Sequence, residues 1–459
     1  MKRFLPSLLL FALLFVTHSA VAQDSRTITL QEAIDIALEN NYQLKQAKNN
    51  LDLAEYRVKS EYADFLPSVN SSINGSRRTG QQFISDRFSE GLDPFVDITS
   101  KSISGNMSAN IPVFRGFENI NSLRASQQSK ISEEESFQRA KEQVIFNTAS
   151  NYLQVLLAME LLEIRKENLE NSRKQLEQVQ AQVEVGSRPT VDLYNQEAQV
   201  ANDELLLTQQ ENTLKFNKLL LIRQLQIDPL GDYEFEIPEI EAEVSSASMQ
   251  SYSLSELIDQ ALLSRSDLKS AIANIRTLDY QLSIAKGSLY PSVSASFGLS
   301  SSYSDQYSVL GESVGFSDQF FDQRINRSLG FSVSIPLFQN WNRMTSIQST
   351  KVQLKNAELN LDNSRLQVIQ EVTQAYNDYS SYVQQLSASE KSLKASERAF
   401  ETQQERYNVG SSTLIELSQA QANYVSAQSD YTQAIYNLIF QEKLLDYYLG
   451  KLSSETVEF

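Results

Sequence analysis

The sequence predicts a membrane β-barrel joined to long antiparallel coiled-coil helices, with each chain too short of strands to close the barrel by itself. Three observations predict it. One unit is written twice at an offset of 224 residues; each copy holds a long stretch free of glycine and proline; and each copy holds two segments in which apolar residues alternate with small polar ones.

The chain opens with Met1-Lys2-Arg3, an apolar stretch over residues 4–16 and then Ala20-Val21-Ala22, which predicts a secretory signal over 1–22. That stretch is short for a membrane-spanning helix, and nowhere else do about 18 apolar residues run together. There is no cysteine, so no disulfide, thiolate metal site or lipid on an N-terminal cysteine is expected; the single histidine, His18, lies inside the signal. Cys- or His-based triads and zinc sites are thereby excluded from the mature chain. No P-loop, nucleophile elbow or dinucleotide fingerprint is present either, so neither an enzyme nor a cofactor is expected. The formal charge of −17 becomes −19 once Lys2 and Arg3 are removed, which is no footprint for nucleic acid.

The offset holds along the chain without a gap. Leu66-Pro67-Ser68-Val69 returns as Tyr290-Pro291-Ser292-Val293, Ile111-Pro112 as Ile335-Pro336, and Val185-Gly186-Ser187 as Val409-Gly410-Ser411. This divides the mature chain into a first repeat over 23–227 and a second over 252–451, with a tail at 452–459. Between the repeats, 228–251 is an acidic linker whose Pro229, Gly231, Pro238 and alternating Tyr233, Phe235 and Ile237 suggest an extended segment. Within the repeats the strand pairs fall at 67–112 and 291–336, and the helix hairpins at 113–227 and 337–451.

No glycine falls between Gly116 and Gly186 or between Gly330 and Gly410, and no proline between Pro112 and Pro189 or after Pro336. Stretches this long, rich in Gln, Glu, Leu, Ala and Lys, read as continuous helices. Val155, Leu162, Leu169, Leu176 and Val183 recur every seven residues, as do Tyr379, Leu386, Leu393, Phe400 and Tyr407. Beyond the Val-Gly turns, Leu193, Val200, Leu207, Leu214 and Leu221 keep the period, matched by Leu417, Tyr424, Tyr431, Leu438 and Leu445. A seven-residue seam on both arms predicts two long antiparallel helices wound as a left-handed coiled coil; an ordinary helical hairpin fits the seam equally well.

In the strand segments Val69, Ile73 and Gly75 oppose Ser68, Asn70, Ser72 and Asn74, and Ile103, Met107, Ala109 and Ile111 oppose Ser102, Ser104, Asn106, Ser108 and Asn110. The second copy repeats this with Val293, Ala295, Phe297 and Leu299 against Ser292, Ser294 and Ser296, and Leu329, Phe331, Val333 and Ile335 against Ser328, Gly330, Ser332 and Ser334. Each segment has about the 9–11 residues of a tilted membrane strand. A soluble sheet with one wet face shows the same alternation, but it solubilises that face with Lys and Glu rather than Ser, Asn and Gly. In lipid every backbone group needs a partner, and four strands cannot form a ring. Two chains give eight strands, an interior filled by side chains, and three give twelve, so a channel implies at least a trimer. Leu66 and Tyr290, each before a proline, end an incoming helix, and Pro112 and Pro336 begin the exit from the strands. Loops near 77–101 and 301–327 then lie on the far side of the membrane from the helices.

The duplicated order of these elements, NIPVFRGF and SIPLFQNW after the second strand of each pair, and ERYNVGSSTLIELSQAQANY at 405–424 resemble the TolC-type outer membrane efflux proteins over essentially the whole mature chain. The resemblance implies a homotrimer whose twelve-stranded barrel in outer membrane lipid continues as an α-helical barrel, a tunnel across the periplasm. It also implies a periplasmic adaptor and an inner-membrane pump as partners. Val185, Gly186, Val409 and Gly410 match the family's periplasmic tip, where the adaptor docks; a bare turn would use glycine in the same way. Asp192 and Glu416 match acids at the family's tunnel entrance, where three chains would form a ring that concentrates cations. The family often adds a second acid three residues later, where this sequence has Asn195 and Gln419. The same carboxylates would equally serve as caps for the returning helices.

The function expected is a passive exit duct of a tripartite efflux or type I secretion system. The alternative is a trimeric surface adhesin or structural coiled-coil protein anchored by a shared barrel, against which stands the placing of a strand pair inside each repeat.

Overall fold

The computed structural model describes residues 26–83, 85–238, 252–310 and 312–453; the expected signal at 1–22, residues 239–251 of the linker and residues 454–459 of the tail lie outside them. From the N-terminus run β1 (Arg26–Ile28), α1 (Leu30–Asn40), α2 (Tyr42–Ala63), β2 (Ser68–Phe83), α3 (Ser85–Ser89), β3 (Phe95–Arg115), α4 (Glu118–Glu184), α5 (Thr190–Leu225) and β4 (Tyr233–Phe235). Then come α6 (Leu254–Ser264), α7 (Ser266–Gly287), β5 (Ser292–Ser304), the short pair β6 (Ser308–Val309) and β7 (Glu312–Ser313), α8 (Phe316–Asp318) and a π-helical turn (Gln319–Gln323). The chain ends with β8 (Asn326–Ser334), α9 (Asn342–Asn408) and α10 (Leu414–Tyr448). The bounds of α1, α2 and α4 recur 224 residues later in α6, α7 and α9.

Helices α4 and α9 have 67 residues each, a length of about 100 Å. They fold back on α5 and α10. None of the twenty seam residues is exposed; Val155, Leu221, Leu438 and Leu445 are at most 1% exposed. The main core joins this trunk to the N-terminal helices through Ile34, Tyr152, Leu156, Leu221 and Leu225. The linker enters the same core, because β4 pairs in parallel with β1 and buries Phe235. The Tyr152 hydroxyl lies 2.9 Å from the Ile28 carbonyl and 2.8 Å from that of Glu236, so its one proton ties the two strands to α4.

The sheet at the other end has the order β2-β3-β5-β8, antiparallel throughout, with β2 and β8 at its edges. Its register sorts the side chains by face. Val69, Ala109, Phe297 and Leu329 form one row, and Ser71, Met107, Leu299 and Arg327 another on the same face. On the opposite face the rows are Asn70, Ser108, Gly298 and Ser328, then Ser72, Asn106, Ser300 and Asn326. One face is apolar and the other is Ser, Asn and Gly. Much of the apolar face is uncovered in the single chain, with Ile73, Leu329 and Phe331 about three-quarters exposed.

Three expectations need correction. The first strand pair does not end near 77 and 101: β2 and β3 continue to Phe83 and Phe95, whose rings meet edge to face at 5.6 Å, and the Thr79 and Thr99 hydroxyls hydrogen-bond at 3.3 Å. Backbone pairing thus carries the hairpin past the apolar stripe. Pro112 does not end its strand, since β3 runs on to Arg115 through a register shift between Pro112 and Phe114. A bulge is where a residue without an N–H fits a ladder. The exit into the long helices is made instead by left-handed pairs, Gly116-Phe117 and Asn340-Trp341, and in the second half seven residues separate Ser334 from Asn342.

Candidate functional site

At the end of the trunk remote from the sheet, each hairpin reverses through the expected Val-Gly pair. Gly186 adopts φ +75° and Gly410 φ +77°, a conformation that disfavours any side chain. The Gly186 N–H donates to the Val183 carbonyl (3.0 Å) and the Ser187 N–H to that of Gln182 (2.9 Å); Gly410 and Ser411 donate to Tyr407 (3.0 Å) and Arg406 (2.8 Å). This is the Schellman closure, which satisfies the last carbonyls of a helix. Val185 and Val409 are each 79% exposed, and open space surrounds both glycines. Below the turns Val179, Tyr407, Leu414 and Leu417 form a core flanked by Val183, Leu193 and Phe400. That cluster takes residues from α4, α5, α9 and α10, so it brings the four expected tip residues to one end of the molecule.

The two acids past the turns have different partners. Glu416 completes a capping box: Thr413 Oγ1 accepts the Glu416 N–H (3.3 Å) and Glu416 Oε2 accepts the Thr413 N–H (3.0 Å). Ser412 Oγ adds a bond to the same oxygen at 2.7 Å, and Gln403 Nε2 lies 3.4 Å away. The Thr413 N–H and the Ser412 hydroxyl hold its pKa below the usual glutamate value. Asp192 lies in the first turn of α5, whose N-cap is Pro189 and has no side-chain cap. Its carboxylate faces Arg188 at 3.8 Å. Arg188 in turn lies over the Tyr407 ring, 4.3 Å from its centroid.

Sequence reasoning placed Tyr407 only in the seam and passed over Arg188. The spacing of four residues between Arg188 and Asp192 was the legible signal; the approach of Tyr407 from the other hairpin had none. Tyr407 is 3% exposed, and its hydroxyl is buried with no hydrogen-bond partner among the described residues. Burial pushes its pKa up, and Arg188 opposes the shift.

Farther along the trunk a polar layer pins the hairpins in register. Gln421 Nε2 donates to Asn168 Oδ1 (2.9 Å), Gln196 Nε2 to the Ser172 carbonyl (2.9 Å), and Ser172 Oγ to Asp203 Oδ2 (2.5 Å). It borders a groove of about 390 Å³ between α4, α5 and α10. Wherever these partners are buried, losing one leaves the other unsatisfied at a cost of about 1–3 kcal/mol.

The chain matches the family model described as "Outer membrane efflux protein" over residues 33–223 and 257–451. It is 26% identical over 288 residues to the cation efflux system protein CusC of Escherichia coli O157:H7, covering 61% of this chain and 57% of that protein. It is also 26% identical over 274 residues to the pyoverdine export outer membrane protein OpmQ of Pseudomonas putida, covering 57% and 54%. The chain therefore spans less than two thirds of the length of these relatives. The crystal structure of the Campylobacter jejuni CmeC outer membrane channel superposes with a TM-score of 0.77 at 17% identity, over 93% of this chain and 87% of CmeC.

Proposed function

The chain belongs to the outer membrane efflux protein family, and from that premise we propose that three copies form a passive exit duct of a tripartite efflux or type I secretion system. Its place is the outer membrane, with the helices reaching into the periplasm. The observation that carries the reading is the open sheet: four strands with β2 and β8 at the edges, one apolar face largely uncovered and one face of Ser, Asn and Gly. In lipid each unpaired backbone group at an edge costs several kcal/mol. Edge β8 of one copy seals on edge β2 of the next, and three copies make a twelve-stranded ring wide enough for passage. The small polar face lines the lumen.

The trunk then forms the wall of a periplasmic tunnel. The exposed Val185 and Val409 at the two tips dock a periplasmic adaptor, and the inner-membrane pump supplies energy. The duct itself performs no chemistry. Cargo is chosen upstream of it, since the names of relatives with this plan refer to cations in one case and pyoverdine in another. At the entrance, Asp192 and Glu416 from three chains supply six carboxylates, but Arg188 beside each Asp192 leaves a weaker cation field than the acids alone.

The test is the mass of the purified mature protein in detergent, followed by conductance in planar bilayers. A trimer that opens pores is the expected result, and a water-soluble monomer that ignores detergent and liposomes would end the proposal. Replacing Asp192 with Asn and Glu416 with Gln should lower cation preference and block by multivalent cations; no change in either removes the ring.

A further inference from the structure

On the apolar face of the sheet, the two strands of the first pair each carry a cation just beyond the apolar stripe. Arg77 follows Ile73 and Gly75 on β2 and Lys101 precedes Ile103 on β3, one row beyond Tyr303 of β5; Arg327 of β8 lies farther in, in the row of Ser71, Met107 and Leu299. Arg77 and Lys101 stand directly opposite each other across the strands. Like charges so placed repel. Among the described residues neither side chain forms a hydrogen bond or ion pair, although Asp97 lies on the same face and the Asp305 carboxylate takes the backbone N–H of Lys101 at 2.8 Å. The pair thus sets two positive charges side by side with no side-chain counter-ion bonded to either among the described residues.

Beside it the segment from α8 through the π-helical turn lies on this same face. Gly105 and Ser301 are cross-strand partners there and leave a notch in the apolar stripe. Phe320 fills it: a methyl on Gly105 would stand 2.9 Å from the ring, and Ser301 Oγ donates to the Phe320 carbonyl. Phe316 packs edge to face on Tyr303 at 5.3 Å, and Gln319, fully buried, holds the turn through Ser304 and Val314. Phe316 and Phe321 remain exposed, at 41% and 65%. A folded turn that directs two phenylalanines outward beside unpaired cations matches the acyl and phosphate levels of a leaflet.

We propose that this outer rim binds anionic, phosphate-bearing lipid headgroups, with Arg77 and Lys101 contacting the phosphates and Phe316 and Phe321 set in the acyl region. The inference rests on the reading of the sheet as a barrel wall. Its test uses the full mature chain reconstituted in phosphatidylcholine vesicles carrying a minor fraction of phosphatidylglycerol or of a diphosphorylated glycolipid. After extraction in mild detergent, the anionic lipid retained per chain is measured by mass spectrometry. Retained lipid should be enriched in the phosphate-bearing species over the bulk, and Arg77→Gln with Lys101→Gln should reduce the enrichment about fivefold per cation. Arg115→Gln, at the other end of β3, should leave it intact. In a Trp341→Phe background, Phe321→Trp should be quenched by brominated acyl chains. Retention equal to the bulk, retention unchanged in the double variant, or an unquenched Trp at 321 each overturns the proposal. A chain that does not float with vesicles sinks the barrel reading itself, whereas one that inserts without enrichment sinks only this inference.

Discussion

At residue 41 the first half of the chain enters its second helix through an asparagine whose side chain accepts the Leu44 N–H at 3.1 Å. At the matching residue of the second half, Arg265, a buried guanidinium grips Asp267 at 2.5 Å and Glu371 at 2.6 Å. Arg139 extends this network to Glu142 and lies 4.0 Å from the Tyr447 ring centroid. The tips diverge likewise: one backbone closure, then Arg188, Asp192 and Tyr407 on one side and a capping box on the other. Backbone chemistry is shared between the halves, while the side chains that hold each element are local solutions, so equal substitutions should have unequal effects wherever a side chain is the anchor.

The largest contrast is expected at the helix junctions. Arg265→Ala strands two carboxylates and should cost about 3–5 kcal/mol, whereas Asn41→Ala removes one cap worth about 1 kcal/mol. Denaturant unfolding of the two variants in detergent measures the difference, and equal losses would break the comparison. Gly186→Ala and Gly410→Ala sharpen it from the other side. Both force a side chain into the left-handed region, so each should lose about 1–2 kcal/mol; markedly different losses would show that the two turns are not equivalent. Next comes Thr413→Ala, which removes a capping box and should free the start of α10 by about 1 kcal/mol in hydrogen exchange. Asp192→Asn touches only an ion pair near the surface and should move α5 by less than about 1 kcal/mol.

The smallest effect is on pH. Because the folded state lowers the pKa of Glu416, its cap contributes above the ordinary glutamate value of 4.5 and is lost as pH falls through the lowered one. Asp267 behaves in the same sense: burial raises its pKa, but the hydrogen bonds and charge of Arg265 outweigh that and hold it below 3.8. Protection at the start of α10, taken relative to the intrinsic exchange rate at each pH, should therefore hold down to pH 4.5 and weaken only below it, while Glu416→Gln should abolish that acid step.

The long helices and the two faces of the sheet were legible because each rests on a local period, seven residues for the seam and two for the strands. The Val-Gly turns were legible because a positive φ selects glycine. The Arg188 contact with Tyr407, the grip of Arg265 on Glu371 and the seating of Phe320 on Gly105 were not, since each joins residues that only tertiary structure brings together. Pro112 misled for a related reason. A proline excludes a hydrogen bond but not a bulge, and the choice between ending and bending β3 is made by β5 beside it.

Where the sheet meets the trunk, Gly116 and Gly287 face each other so closely that a methyl on either would collide with the other's carbonyl oxygen. No side chain stands between the start of α4 and the end of α7 there to act as a spacer or a bearing. The membrane end therefore has no soft hinge on this flank, and a tilt of the strands must drag whole helices with it.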